Sequence, residues 1–382
     1  MNYFLYNPST QYSNTGDLLI NKSLVALLRK HGQVIIDDNN KPETFVTQLL
    51  TENDQQLSAI TSQSLYDFVE NKLQTSSGDM YYLVFVPGDF AAMGFKSALA
   101  RAWFFISRLR KLKRMGCRIL RLGISLNDAF DVPNMIVESL FSRTYYMYGI
   151  RDRQSIAKAA RFRFSNVRYF PDLAWVYHPK HVDCERVVYG GYILISFRGN
   201  QRGATYDGDF FSVIKHHLFT VLSQSSFVNY KIVVSYQVQY DREASLELAD
   251  LFSKQFEVEF IDRLLSLDEA VHLYTGADLI ISNRLHVLLL GTICKTLSIP
   301  FINPLHNKKI AGIYKDNAIY DMVLDYRKNV TEVRDKLIDL VGRRDVLLNL
   351  MEDKHKNNGS MIENLVKDIV NSQDSADLMN KK

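Results

Sequence analysis

The sequence predicts an α/β protein of two halves, each a parallel sheet covered by helices, with a cleft between them. Three observations carry this expectation. Short apolar runs rich in valine, isoleucine and leucine alternate with helical stretches at β-α-β spacing, the mark of a parallel sheet. Between about Val176 and Val188 the chain turns polar and irregular around Pro179, and then the alternation restarts, which puts an inter-domain linker there. The 382 residues have room for two domains of ordinary size. The expected division is 1–178, 185–340, and closing helices over 341–382 that pack back on the first domain and end in a frayed tail.

The composition, 47% hydrophobic and 23% charged, is that of a folded globular chain. A net charge of only +4 argues against a general nucleic-acid partner. Cys117, Cys184 and Cys294 lie too far apart for a metal-ligand motif or a disulfide framework, so no metal site is read. The opening residues Met1–Pro8 have neither the basic start nor the apolar core of a signal peptide. No apolar stretch approaches the ~20 residues that span a bilayer, and a cytoplasmic protein is expected.

In the first half, residues 3–6 read as a strand that breaks into a polar loop before a helix through Lys30. Asn14, Gly16 and Asp17 occupy that crossing, which is the ligand-facing edge of a parallel sheet; the plainer alternative is a loop glycine with Asp17 as helix cap. Gln33–Asp37 is a second strand, followed by helical sequence through Leu73. Tyr81–Val86 is a third, ending in Pro87-Gly88-Asp89, with a helix to about Met115 behind it. Arg118–Ile124 is a fourth, trailed by Ser125, Asn127 and Asp128. Tyr145–Gly149 is a fifth, leading through Arg151 and Asp152 into a helix, and Val167–Phe170 leads into Asp172.

The second half repeats the scheme. Tyr192–Phe197 is a strand ending in Arg198; Lys231–Tyr236 and Val258–Ile261 follow with helices between them. The stretch from Ala277 to Gly291 is the most informative. It opens as a buried strand, passes through the cap pair Ser282-Asn283, and becomes an apolar helix carrying Arg284, Leu285 and His286 in its first turn. A strand feeding a helix N-terminus presents unpaired N–H groups, so cationic side chains there suit a phosphate or carboxylate. A helix-capping loop with an exposed arginine is the competing reading. Ile299–Ile302 is one more strand, followed by Lys308 and Lys309.

The strand ends of the second half thus offer cations and those of the first offer acids and amides. That division suits joining an anionic donor to a hydroxyl-bearing acceptor whose proton a carboxylate removes. No phosphate-binding lysine loop and no G-x-G-x-x-G after the first strand is present.

An ordered set of residues resembles the polysaccharide pyruvyl transferase family: Asn14-x-Gly16-Asp17, Gly149-Ile150-Arg151-Asp152-x-x-Ser155, Asp172, Ile195-Ser196-x-Arg198, Arg284-Leu285-His286 and Lys308. Two features depart from the family pattern. The opening loop lacks a glycine-rich start, and the loop after Ile124 lacks a Gly-Pro. The resemblance implies a GT-B-like fold, two Rossmann-like domains facing a cleft. It implies pyruvate transfer from phosphoenolpyruvate to two hydroxyls of a sugar, forming a ketal, with phosphoenolpyruvate as co-substrate and no further cofactor. By that likeness Arg198, Arg284, Leu285 and His286 bind the donor, with Lys308 beside them. On the strand-end chemistry, Asn14, Asp17 and Asp128 are read as the acceptor side, His286 as phosphate binder and acid, and Asp17 or Asp89 as the hydroxyl-side base. The acceptor is a sugar or a lipid-linked oligosaccharide.

A glycosyltransferase of the same fold using a nucleotide sugar is the alternative, with Glu247, Asp250, Glu257, Glu259, Asp262 and Asp268 as the acids available to a ribose. Residues 101–121 carry eight lysines or arginines and no acid, interleaved with Trp103, Phe104, Phe105 and Ile106. Two readings of that run stand: a helix lying peripherally on the inner face of a membrane, or a solvated helix face.

Overall fold

A computed structural model describes residues 1–89, 95–126, 132–179, 191–200, 208–224 and 226–372. The chain forms two units, Met1–Tyr12 with Ile20–Val176 and Asn358–Lys382, and Ser13–Leu19 with Tyr177–Asn357. The first turn of the first helix therefore counts with the second unit.

In the first unit the strands are β1 (Asn2–Asn7), β2 (Gln33–Ile36), β3 (Gln55–Gln56), β4 (Met80–Phe85), β5 (Gly88–Asp89), β6 (Arg118–Ser125), β7 (Met147–Ile150) and β8 (Val167–Tyr169). They form one parallel sheet in the order β3-β2-β1-β4-β6-β7-β8, with β5 paired to β6. Its helices are α1 (Thr15–Arg29), whose first turn belongs to the other unit, α2 (Glu43–Leu49), α3 (Leu57–Ile60), α4 (Leu65–Thr75), α5 (Phe95–Arg114), α6 (Val132–Ser142) and α7 (Arg153–Arg161). The long helical stretch read before Leu73 is three short helices, because Leu50 and Thr61 adopt extended backbone and end α2 and α3.

The second unit has β9 (Tyr192–Ser196), β10 (Lys231–Val234), β11 (Val258–Phe260), β12 (Leu279–Ser282), β13 (Leu297–Ile302) and β14 (Leu324–Asp325). Its helices are α8 (Gly208–Ser223), α9 (Arg242–Phe252), α10 (Leu267–Gly276), α11 (Leu285–Ile293), α12 (Lys308–Asp316), α13 (Val330–Gly342) and α14 (Arg344–Asn371), the last running into the first unit. The sheet order is β11-β10-β9-β12-β13-β14, parallel throughout. Counted along the chain this is 3-2-1-4-5-6, the dinucleotide-fold order, with its topological switch between β9 and β12. Both central strands are apolar up to a closing serine, and buried apart from Tyr192 at the start of β9, as strands covered by helices on both faces must be.

Several residues of the Gly149–Ser155 motif and Asp172 are scaffold. Arg151 is 1% exposed and donates from Nη1 to Asp172 at 2.6 Å and from Nε to Ser125 Oγ at 2.8 Å. Asp152 caps α7 by accepting from Ser155 N–H at 2.7 Å and also accepts from the Ser125 hydroxyl. Gly149 is needed where it stands, since a Cβ there would lie 2.8 Å from Phe170 Cβ. The motif locks β6, β7 and α7 together.

The basic run at 101–121 is not one helix. Gly116, at φ +98°, lies between α5 and β6, and Arg118 and Arg121 are interior residues of β6. Arg121 pairs with Glu138 at 2.8 Å, and Arg118 donates to the Ile369 carbonyl at 2.6 Å. On α5 itself Arg108 pairs with Asp67 and Lys111 with Glu70, while Trp103 is 86% exposed. Among the described residues no helix is long and apolar enough to cross a membrane. Cys117 and Cys294 are buried free thiols whose pKa values burial pushes up to about 12. Cys184 lies outside the described residues.

Removing one partner from a buried ion pair strands the other's charge, so Asp172→Ala should cost about 3–5 kcal/mol. Arg108→Ala, at a half-exposed pair, should cost under about 1 kcal/mol. Urea unfolding of both variants checks the contrast, and equal losses would refute the scaffold role of Arg151–Asp172.

Candidate functional site

At a topological switch, crossover connections leave to opposite faces and the C-terminal strand ends open a crevice. In the second unit those ends belong to β9, its neighbour β10, and β12. Each delivers one charged side chain: Arg198 after β9, Asp241 after β10, and Arg284 after β12.

Asp241 is 1% exposed and forms an ion pair with Arg284. Its carboxyl is raised above the ordinary range by burial, with opposing pulls from Arg284, then Arg198, and from the Gly199 backbone N–H. Both arginines therefore act on one buried carboxylate. The Arg284 guanidinium also lies over the Tyr240 ring, 5.4 Å from its centre. Two guanidinium charges against one carboxylate leave this cluster net positive.

Backbone geometry fixes the cluster. Asn283 accepts from the Arg198 N–H at 2.6 Å and donates to the Arg198 carbonyl at 3.1 Å, so one amide side chain reads both sides of that residue. Arg198 Nε donates to Asn200 Oδ1 at 2.6 Å. Arg284 occupies the N-cap position of α11 in extended backbone, and its N–H donates to Ser282 Oγ at 2.9 Å. The expected cap pair thus works differently from the sequence reading: Ser282 supports Arg284, while Asn283 ties β12 to the loop after β9. Among the described residues, Arg284 Nε and Asn200 Nδ2 are buried with no hydrogen-bond partner, which leaves a guanidinium donor and an amide donor for a ligand.

The start of α1 completes this edge. Asn14 forms a bridge to Val238, Thr15 N–H donates to the Gln237 carbonyl at 3.3 Å, and Thr15 Oγ1 donates to the Leu265 carbonyl at 3.0 Å. Asn14 Oδ1 accepts from the Gly16 N–H at 2.9 Å and the Asp17 N–H at 3.3 Å. Asn14, not Asp17, is therefore the cap of α1. Gly16 has no Cβ because His286 stands where it would go; a Cβ would lie 2.6 Å from His286 Nδ1 and 2.9 Å from its Cβ. An Asn-x-Gly-Asp motif read as belonging to the first half thus packs beside His286 in the second unit. The contacts with Val238, Gln237 and Leu265 are the reason.

Of the other expected site residues, Leu285 is a core side chain at 6% exposure, and Lys308 is exposed at the first position of α12, beyond the end of β13. Asp89 lies on β5; its side chain, and Asp128 altogether, lie outside the described residues. The second half is not purely cationic, as its sequence suggested: the buried Asp241 pairs with Arg284. Sequence reading passed over it because the strand was taken to end at Tyr236 and the acids considered for a ribose began at Glu247. An acid between a strand end and the next helix, Asp241 before Arg242, was the available signal. The acids that were considered sit elsewhere: Glu247 pairs with Lys215, Glu259 with Lys231, and Asp262 with Arg242. Among the described residues no group of three or more His, Cys, Asp or Glu side chains could hold a metal ion.

Two parallel-sheet units with this strand order define the GT-B class of α/β proteins. The solved structures agree. UDP-GlcNAc 2-epimerase from Neisseria meningitidis is similar at a TM-score of 0.59 and 11% identity, covering 97% of this chain and 100% of that one. Trehalose-6-phosphate synthase OtsA gives 0.59 and 11%, covering 98% and 100%. The 2-epimerase from Methanocaldococcus jannaschii gives 0.51 and 13%, covering 88% and 92%. At such identities the likeness is one of fold. No curated protein matches the chain. The family model for polysaccharide pyruvyl transferase matches residues 14–304, most of the chain and all of the cluster just described. The protein belongs to the polysaccharide pyruvyl transferase family.

Gly16→Ala forces the His286 ring to move, an overpacking expected to cost about 1–3 kcal/mol. Gly312→Ala, inside α12 with nothing within 4 Å of the added Cβ, should instead stabilise by about 0.4–1 kcal/mol. Denaturant unfolding distinguishes them, and a neutral Gly16→Ala would refute the contact. The raised Asp241 carboxyl means that the folded protein holds this proton more tightly than the unfolded chain does. From the ordinary aspartate value of roughly 3.9 up to the folded value, stability from this group falls as pH rises. Asp241→Asn should abolish that decline in urea midpoints measured from pH 4 upward; an unchanged slope would refute the assignment.

Proposed function

We propose that the protein transfers pyruvate from phosphoenolpyruvate to two hydroxyls of one sugar, making a pyruvate ketal during the assembly of a capsule, exopolysaccharide or cell-wall glycan. The observation that carries this reading is the buried Asp241–Arg284 ion pair at the switch point, with Arg198 on the adjacent strand end tied to the same connection by Asn283, beside the N-terminus of α11. A small donor with a carboxylate and a phosphate needs two forked cationic donors held at fixed separation. The α11 N-terminus adds positive potential. Arg284 has donors beyond the one given to Asp241, so the ion pair orients the guanidinium without consuming it.

The chemistry follows from the donor. Protonating its methylene carbon makes C2 electrophilic, and a sugar hydroxyl adds there as its proton passes to a base. Phosphate leaves with the electrons of its bond to C2, and the second hydroxyl closes the ring and loses its own proton. In this scheme Arg198, Arg284 and Lys308 hold the donor's charges. His286 binds phosphate and supplies the proton. Asp17 is the base favoured over Asp89, because Asp17 adjoins Gly16, against which His286 packs. No cofactor beyond the co-substrate is required. For a lipid-linked acceptor, the exposed Trp103 and Phe104 of α5 are the surface we assign to the inner face of a membrane.

The second reading, a glycosyltransferase using a nucleotide sugar, is favoured by the fold likeness to enzymes such as the Neisseria epimerase solved with UDP-GlcNAc. Thermal-shift comparison separates the two. A ligand at a hundred times its Kd stabilises the native state by about 2.7 kcal/mol, so phosphoenolpyruvate should raise the melting temperature. A rise with uridine or guanosine diphosphate sugars alone would favour the rival. With phosphoenolpyruvate and a galactoside panel, mass spectrometry should find the ketal product, and phosphate release should fall at least roughly 100-fold in Arg284→Ala. Near-normal release in that variant would remove the donor-site assignment.

A further inference from the structure

The first unit holds a polar cleft of about 530 Å³ that the donor chemistry does not use. That volume is within the roughly 300–1,000 Å³ of small-ligand sites. The cleft lies at the C-terminal ends of β1 and β2, bounded by the turn after β2 and the loop that leads into α4. This is the edge at which open parallel sheets bind ligands.

Asp37 organises it. The residue is 7% exposed; its carboxylate accepts from Asn7 Nδ2 at 2.9 Å and from Asn39 Nδ2 at 3.0 Å, and lies 3.4 Å from Lys41 Nζ. A carboxylate only accepts, so it fixes the orientation of the Asn7 amide. That leaves Asn7 Oδ1, which is buried and, among the described residues, has no hydrogen-bond partner. An unmatched buried acceptor lining a cleft asks for a donor from a ligand. Asn40, at φ +57°, makes the turn that presents Asn39 and Lys41, a conformation asparagine tolerates. Two tyrosine rings, Tyr12 and Tyr66, also line the wall; each is set by an edge-on aromatic neighbour, Phe45 and Phe105 respectively.

Charge narrows the ligand class. The lining has one lysine and one acid, and they face each other, so neither a phosphate nor a metal ion finds a complementary field. What remains is a wall of amides and hydroxyls, able to donate and accept, beside aromatic rings able to cover apolar C–H surface. We propose that this cleft binds a neutral saccharide, with Asn7 Oδ1 accepting from a sugar hydroxyl, Asn39 and Gln63 completing the polar contacts, and a ring face of the sugar lying against Tyr12. The role of that saccharide as acceptor rests on the pyruvyl-transfer reading; its binding does not.

Saturation-transfer NMR on the full chain tests the proposal with methyl glycosides of galactose, glucose, mannose and N-acetylglucosamine. Transfer to at least one glycoside is expected. Asn7→Leu and Gln63→Ala should each weaken it at least tenfold with melting temperature and circular dichroism checked; Gln63 is exposed, so its variant is read even if Asn7→Leu misfolds. Arg284→Ala should keep glycoside binding while losing the shift with phosphoenolpyruvate. No transfer to any of the four, or undiminished transfer in Gln63→Ala, overturns the cleft assignment. Glycoside binding without phosphate release from phosphoenolpyruvate would keep the cleft and remove the pyruvyl reading.

Discussion

One buried carboxylate anchors this edge of the second unit: Asp241 pairs with Arg284 and feels the charge of Arg198. Asp241 closes the connection from β10 to α9, while β9, next to β10, leads to Arg198, and β12, on the far side of β9, leads to Arg284. Without a counter-charge, two arginines in a partly dry crevice repel one another and turn toward water. With it, Arg284 is held at this edge. The same edge is braced by Asn283, whose side chain joins the peptide groups of Arg198 to the β12–α11 connection. Backbone, amide and ion pair thus converge on a few residues, and the positive field of the α11 N-terminus lies among them.

The first unit uses buried charge differently. Arg151, Asp152, Asp172, Ser125 and Ser155 form a buried hydrogen-bonded network inside the fold. Such a network fixes how β6, β7 and α7 meet and leaves little for a ligand. Motif residues are therefore not all site residues: within one family-like pattern, some hold strands together and some face a crevice. Asn14 and Gly16 belong to a third kind. They cap a helix and make way for a histidine.

Much of this was legible along the chain. Strand runs at 3–6, 33–37, 81–86, 192–197 and 231–236 appear close to where the sheets have them, because strands buried on both faces are continuous apolar runs. Arg198, Arg284 and His286 could be picked out as strand-end cations. The role of Asp241 could not, since its place between a strand end and a helix marks a position but not the arginine it pairs with. Counting the eight basic residues of 101–121 as one run joins two elements that the same sequence reading separates. Arg118 and Arg121 look like neighbours of the α5 lysines in sequence, but beyond Gly116 the backbone enters a strand and takes them into the core.

The sequence by itself determined the α/β class, the restart of the pattern after the polar stretch near Pro179, and the strand-to-helix connections that carry the cations. These depend on periodicity and on helix-start chemistry, which are properties of a few adjacent residues. Only the tertiary structure decided that Asn14–Asp17 stand with the second unit beside His286, and that Asp241 pairs with Arg284, far from it in the chain. It also decided that Asp37 orients Asn7 at a cleft. Each of these is a contact across sheet register and long loop closure, and the pairing of strands, not local preference, brings such residues together.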